Sequence, residues 1–307
     1  MSDLVNEIMR ELSLCGVECH EVETDGVQCI ACRVGEEWRM AVPVEVCAGT
    51  VEEARLGAEE LGRFLDGLER GGVASIVVPE DVFRSRRRMM TLRVLAHLGL
   101  HHRVYARNCE VRRIDRVVAA EFLERCHTYG DAKCRYCYGL YLKRYTGKAA
   151  SQDVCAGVKN SLQERIGARP EPGALVAVAE FSNARRWKKS VEVRSYEWVR
   201  YASLPNLRVC GGMGRVLRQF IEDVKPDDIM TYADLEWSEG GVYSALGFAE
   251  EGEKEAVDFV VENWRRRAIG KVRGMAELCE NNRSGDGVCY YTNFGSKKYR
   301  LKLIDYE

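Results

Sequence analysis

"VCGGMGRVLRQFIEDV", Val209–Val224, sets three glycines within four residues directly before an amphipathic helix. Bare amides and a helix N-terminus converge on such a turn and together make a seat for an anion. The lysine of a nucleotide-triphosphate loop is missing, because the turn runs Gly211-Gly212-Met213-Gly214-Arg215 rather than G-K-S or G-K-T. The dinucleotide pattern G-x-G-x-x-G fails as well, since only Gly212-Met213-Gly214 fits it. The turn therefore holds a phosphate of another kind, or it is only a strand-to-helix connection.

Outward from the turn, helical spacing puts Val216, Leu217, Phe220, Ile221 and Val224 on one inward face. Upstream, "YCYGLYLKRYT", "GALVAVAEFSN" and "SYEWVRYASLP" read as strands, with an insert at 147–172 long enough for a short helix. Downstream, Lys225-Pro226-Asp227-Asp228 ends the helix and "IMTYAD" is the next strand. Ser238 is placed to cap a short helix carrying Val242, Tyr243 and Leu246, with Gly247 as its stop. "FAEEGE", "AVDFVVENW" and "KYRLKLIDY" read as strands near the end of the chain. Before all this, residues 2–14 read as a helix, and "VECHEVET" and "VQCIACRVGEEWRMAVPVEV" as strands, the latter folded into a hairpin at Gly35-Glu36-Glu37. A helix over 51–70 sets Leu56, Leu61, Phe64, Leu65 and Leu68 near one face and stops at Gly71-Gly72. A strand, "VASIVVPE", and a basic helix over 82–98 follow. The expected fold class is α/β of the α+β kind: a small α/β domain over 1–105, a mixed-sheet domain over 106–262 and a C-terminal extension over 263–307.

With 307 residues, 46% hydrophobic and 30% charged, the chain has enough apolar surface for large cores and no signature of disorder. The N-terminal MSDLVNEIMRELSL lacks a basic-then-apolar export signal, and no apolar run has membrane-spanning length. The expectation is a cytoplasmic protein with no membrane partner, its 13 cysteines mostly reduced, buried thiols. The net charge of −1 conceals an asymmetry. Residues 1–83 carry 18 Asp or Glu, 6 Arg and no Lys, whereas residues 84–116 carry 10 Arg against Glu110 and Asp115. That block, with Arg84, Arg86, Arg87 and Arg88 at its head, suits a phosphate backbone, or else it neutralises the acidic domain before it.

The order strand, glycine turn, helix, strand, short helix, "VYSALGF" resembles the GNAT superfamily of acyltransferases, whose motif is Q/R-x-x-G-x-G/A followed by x-Y-x-x-x-G-F. Here the first part reads Val209-Cys210-Gly211-Gly212-Met213-Gly214, with Val209 in the glutamine or arginine slot, and the second reads Val242–Phe248. The resemblance covers residues 107–262. It implies that the amides around Gly211, Gly212, Met213, Gly214 and Arg215 bind the pyrophosphate of acetyl-CoA or another acyl-CoA as co-substrate. It also implies that Tyr243 protonates the departing thiolate and that Glu197 takes the amine's proton. On this reading no metal is expected, and Gly212→Glu blocks the coenzyme without disturbing the fold.

A second resemblance rests on "PEDVFRSRRRMMTLRVLAHLGLHHRVYARNCEVRRID", "CHTYGDAKCRYCYGLYLKR" and "YADLEWSEGGVYSALGF". These strings look like a group of phage and mobile-element proteins similar to homing endonucleases, with a restriction-endonuclease-like domain before a GNAT-like one. Such nucleases need an Asp on one strand and E-x-K on the next to hold a metal. Here Glu45-Val46-Cys47 is followed by no lysine and "VQCIACRV" carries no carboxylate, so the nuclease site is degenerate.

Cys15, Cys19, Cys29 and Cys32 have zinc-like spacing, as do Cys126, His127, Cys134 and Cys137. Cys29 and Cys32, however, sit at an odd offset in a strand and should point to opposite faces. Two function classes follow. One is acyl transfer to an amine acceptor. The other is nucleic-acid binding by a GNAT-like scaffold that has lost catalysis, using Arg84, Arg86, Arg87, Arg88 and "NARRWKK" (Asn183–Lys189).

Overall fold

A computed structural model describes residues 3–146, 159–188, 191–271 and 288–306, and its fold is α+β. In α1 (Asp3–Leu14), Leu4, Val5, Ile8 and Leu12 form the buried stripe that helical spacing requires. The antiparallel strands β1 (Glu18–Thr24), β2 (Val27–Val34) and β3 (Glu37–Val44) follow, and β4 (Ser75–Pro79) joins parallel to β3 after α2 (Val51–Arg70). Thr50 caps α2 by accepting the Glu53 amide at 3.1 Å. The sheet is covered on both faces. Cys29 and Val42 pack on Phe64 and Leu68 of α2, while Ile30, Cys32 and Ala41 pack with α1. Cys29 and Cys32 thus do point to opposite faces, which splits the first zinc-like set. Leu56, expected on the inner face of α2, is 60% exposed.

The basic helix expected over 82–98 is two helices, α3 (Glu80–Ser85) and α4 (Arg87–His97), broken at Arg86 (φ −138°, ψ 44°). The break lets α3 carry Asp81 to a buried partner while Met90 and Leu95 of α4 enter the core.

The rest of the chain builds a larger sheet. Its elements begin with β5 (His102–Tyr105), β6 (Cys109–Arg113), α5 (Arg116–Cys126), β7 (Tyr136–Leu142), α6 (Lys159–Ile166), β8 (Leu175–Phe181) and β9 (Arg185–Lys188). They continue with β10 (Glu192–Ser203), β11 (Leu207–Cys210), α7 (Gly212–Val224), β12 (Asp228–Asp234), α8 (Gly241–Ala245), β13 (Ala249–Lys254), β14 (Asp258–Glu262), β15 (Arg265–Ala268), β16 (Cys289–Thr292) and β17 (Ser296–Lys302). Among the described residues the large sheet runs β13-β17-β12-β10-β8-β7-β6, with β9 on β10. Its neighbours are antiparallel except β10 and β12, which α7 connects.

One face of this sheet meets α7, whose Phe220 ring stacks on Phe181 with centroids 3.9 Å apart. The other face meets α5, where Ala119, Phe122 and Leu123 pack on Cys137, Val178 and Ala202. Each fully buried aromatic contributes roughly 1.5–3 kcal/mol by leaving water. The segment expected as an extension, 263–307, supplies β17, which lies between β12 and β13, so residue 262 is not an edge of this sheet. β14, β15 and β16 form a three-stranded sheet of their own that packs on α2 through Ala54, Val260 and Tyr290. α6 falls within the insert expected at 147–172, whose residues 147–158 lie outside the described residues. Ser238 does not cap α8. Gly240 holds the N-cap position in the left-handed region, and Ser238 Oγ accepts its amide at 3.1 Å. Among the described residues no helix is long and apolar enough to cross a membrane.

Candidate functional site

β10 and β12 pair only over Ser195–Trp198 and Asp228–Thr231. Beyond Trp198 the edge of β10 that faced β12 is open, while its other edge stays on β8 as far as Ser203. The chain then turns, pairs β11 with β5, and enters the glycine turn. Gly211 (φ 75°) is the N-cap of α7, a conformation that glycine adopts without strain. No side chain caps this end, and the first amide to find an intrahelical acceptor is Arg215, on Gly211 O at 3.1 Å. The amides of Gly212, Met213 and Gly214 are therefore the free donors of the first turn. They line a cleft of about 610 Å³ together with Val209, Gly211, Tyr201–Leu204 at the end of β10, and Val242 and Leu246 around α8. Arg215 is exposed just outside. An open strand edge and a helix N-terminus thus meet where the parallel ladder ends, the place where open α/β sheets bind ligands.

The three glycines do different work. A Cβ on Gly211 would meet only Ala106 Cβ, at 3.7 Å, and one on Gly214 would press on Leu246 at 3.0 Å. A Cβ on buried Gly212 would collide with the Tyr201 hydroxyl and the Val209 side chain. Gly212 makes room for its own protein, not for a ligand. The expectation that Gly212→Glu leaves the fold intact is therefore corrected.

Tyr243 stands behind the cleft wall that Val242 and Leu246 form. Its ring packs edge-on against Trp198 (6.1 Å) and Phe248 (5.8 Å). Its hydroxyl bonds with Thr231 at the last rung of the parallel ladder, and burial raises its pKa above the usual phenol value. Glu197 is partly buried on β10; Ser182 Oγ accepts its amide at 2.9 Å. Tyr196 and Trp198 face α7, so Glu197 faces the α5 side. A register shift between Trp198 and Arg200 then brings Arg200 to that same side, where unbroken alternation from Glu197 would put it on the other.

On the α5 side lies a cluster of buried polar groups that sequence reasoning did not assemble. His127 accepts the Tyr129 amide on Nδ1 at 3.1 Å, which leaves Nε2 as the donor of a neutral ring. Burial, with Arg200, Arg93 and Arg86 nearby, lowers its pKa to about 3. Tyr129 donates to Asp234 at 2.7 Å, and Arg200 lies 5.9 Å from the Tyr129 ring. Buried Glu180, between Cys137 and Arg200 on neighbouring strands, leaves Oε2 without a partner. Burial first, then the charge of Asp131, raises its carboxyl to about 7. A carboxyl raised in the folded state binds a proton there that the unfolded chain has lost. The contribution of Glu180 to stability therefore falls as pH rises from about 4.5 through about 7. Glu180→Gln should raise the melting temperature at pH 8 more than at pH 5; equal shifts at both would contradict this. A signal for the cluster was present in "CHTYGD", where a histidine and a tyrosine flank one residue between α5 and β7.

The head of the arginine block is largely spent within the protein. Arg84 pairs with Glu7 and Glu80, Arg87 with Glu7 and Glu11, and Arg86 donates to the carbonyls of Glu124 (2.9 Å) and His127 (2.6 Å). Arg88 is exposed. A second buried cluster joins the two halves of the chain. Arg266 of β15 forks onto Asp81 (2.6 and 2.9 Å) and reaches both oxygens of Glu236 (3.1 and 3.0 Å), which also accepts from Tyr291. Cys19 and Cys32 face each other across β1 and β2 with sulfurs 3.7 Å apart. No protein-family model and no curated protein matches the chain.

Proposed function

We propose that the protein is an acyl-CoA-dependent N-acyltransferase of GNAT type, with acetyl-CoA as donor and an amine as acceptor. One observation carries this reading: the free amides of α7 and the open edge of β10 line a single cleft at the end of the parallel ladder. A diphosphate suits the amides, and an amide-bearing thioester arm suits an open strand edge, which offers unpaired N–H and C=O groups. The amine nitrogen attacks the thioester carbonyl, the carbon–sulfur bond breaks, and the thiolate takes a proton. Tyr243, behind the wall of that cleft, is the proton donor of this scheme. Glu197, on the α5 side of the same strand, takes the amine's proton.

Thermal denaturation tests the donor. Acetyl-CoA should raise the melting temperature where ATP and NAD do not, because a ligand that binds only the folded state stabilises it by mass action. Gly211→Asp should abolish that shift and lower the melting temperature of the free protein only modestly, the cost of a Cβ at φ 75°. Aspartate tolerates the left-handed region, has space there, and sets a carboxylate over the free amides. An unchanged acetyl-CoA shift in this variant would remove the glycine turn from the site.

A second reading, nucleic-acid binding, is favoured by β9, where Arg185, Arg186, Trp187 and Lys188 are all exposed on a two-stranded ribbon. Retention on duplex or single strands at low salt tests it.

A further inference from the structure

Three residues of α4, Met89, Arg93 and Ala96, line the same cleft as the glycine turn. Their spacing of four and three puts them on one helical face. The N-terminal half of the chain therefore walls a cleft whose floor belongs to the larger sheet. Within that wall, Arg93 is a cation with little to hold. Among the described residues its guanidinium makes one hydrogen bond, from Nη1 to Thr128 Oγ1 at 3.2 Å. Its guanidinium carbon lies 4.2 Å from the centre of the Trp237 ring.

The nearby carboxylates, Glu236 and Asp234, act on its charge from a distance but make no hydrogen bond to it among the described residues. Glu236 is held by Arg266 and Tyr291, and Asp234 accepts the Tyr129 hydroxyl and the Glu236 amide. A guanidinium carries five donors, so among the described residues most of those on Arg93 have no protein acceptor. His101 repeats the pattern on the same cleft. It is 7% exposed, its Nδ1 is buried without a partner, and the ring lines the cavity. The open Nδ1 of His101 and the spare donors of Arg93 are groups that a polar molecule entering the cleft can meet.

We propose that Arg93 is a second anion seat of this cleft, separate from the glycine turn, and that the molecule accepting the acyl group carries a carboxylate or a phosphate beside its amine. The assignment of this molecule as the acceptor rests on the acyltransferase reading; the anion seat does not. Planar guanidinium favours forked contacts with either anion.

The test uses the full chain with saturating coenzyme A, so that the glycine turn is filled, and titrates succinate in one arm and inorganic phosphate in the other. Tryptophan fluorescence reports binding, because an anion on Arg93 draws the cation from Trp237. A saturable change is expected in at least one arm, and the responding arm identifies the anion. Trp237→Phe should remove the signal. Arg93→Gln should weaken binding roughly 10- to 100-fold, as loss of a charged hydrogen-bonding partner does, and Arg93→Lys should restore part of it.

Ala96→Asp, one turn along the same face, occupies Arg93 from within and should abolish the response even if Arg93→Gln proves unstable. No saturable response in wild type, or an equal response in Arg93→Gln or Ala96→Asp, overturns the proposal. Gly211→Asp separates the two readings: examined without coenzyme A, it should keep the anion response after coenzyme binding is lost. If wild type binds anions at Arg93 but never binds coenzyme A, the acyltransferase reading falls and the anion seat stands.

Discussion

Tyr243→Phe is expected to slow acetyl transfer by roughly 100- to 10,000-fold, the range a positioned general acid supplies. The substitution keeps the ring, and with it the contacts to Trp198, Phe248 and Tyr299 (6.1, 5.8 and 5.5 Å). Thr231 retains its own hydrogen bond to the Trp198 carbonyl at 3.0 Å, so the end of the parallel ladder stays in place. Acetyl-CoA affinity and thermal stability should therefore be close to wild type, and the whole effect should fall on turnover. Release of free coenzyme A thiol, followed with amine acceptors that do and do not carry an anionic group, measures it. Turnover within threefold of wild type on a verified acceptor would show that Tyr243 is only a packing residue.

Arg266→Met should destabilise the protein by about 3–5 kcal/mol, the cost of leaving a buried charge cluster without its partner. The guanidinium of Arg266 is 7% exposed and holds Asp81 and Glu236, at 2% and 0%, on its two sides. Burial alone would depress its pKa, but Glu236, Tyr291 and Asp81 outweigh that and raise it, so it stays charged. The contacts join α3, β15, β16 and the loop after β12, so loss of the cation strikes both halves of the chain at once. Denaturant midpoints measure the change. The triple replacement Asp81→Leu, Glu236→Met, Arg266→Met should recover most of the loss, because an apolar cluster of similar volume needs no charge balance. A loss below 1 kcal/mol in the single variant would mean that water reaches the two carboxylates.

The element order was legible because it is written in local periods. The stripe of Val216, Leu217 and Phe220 needs only helical spacing, and "LVAVAEF" needs only a run of small and branched residues. The position of β17 was not legible. A strand between β12 and β13 is set by which edge remains open once β10 has taken the other side of β12, and no local pattern carries that. The break at Arg86 was missed for a similar reason: Asp81 is drawn to Arg266, which lies 185 residues away.

At the candidate site the glycine turn was readable and the reason for each glycine was not. Sequence alone determined that residues 209–224 form a turn with free amides ahead of an amphipathic helix, because helix ends leave donors unpaired whatever surrounds them. It also determined that Cys29 and Cys32 face apart, because strand alternation is a property of the backbone. Only the tertiary structure decided that Gly212 makes room for Tyr201 and Val209, and that a register shift carries Arg200 to the side of Glu197. It alone decided that Arg84 and Arg87 meet Glu7, Glu11 and Glu80, and that Arg93 looks into a cleft whose floor belongs to the other half of the chain. Charge and polarity are properties of a residue, but whether they are spent or left free depends on which distant groups the fold brings within a few ångströms.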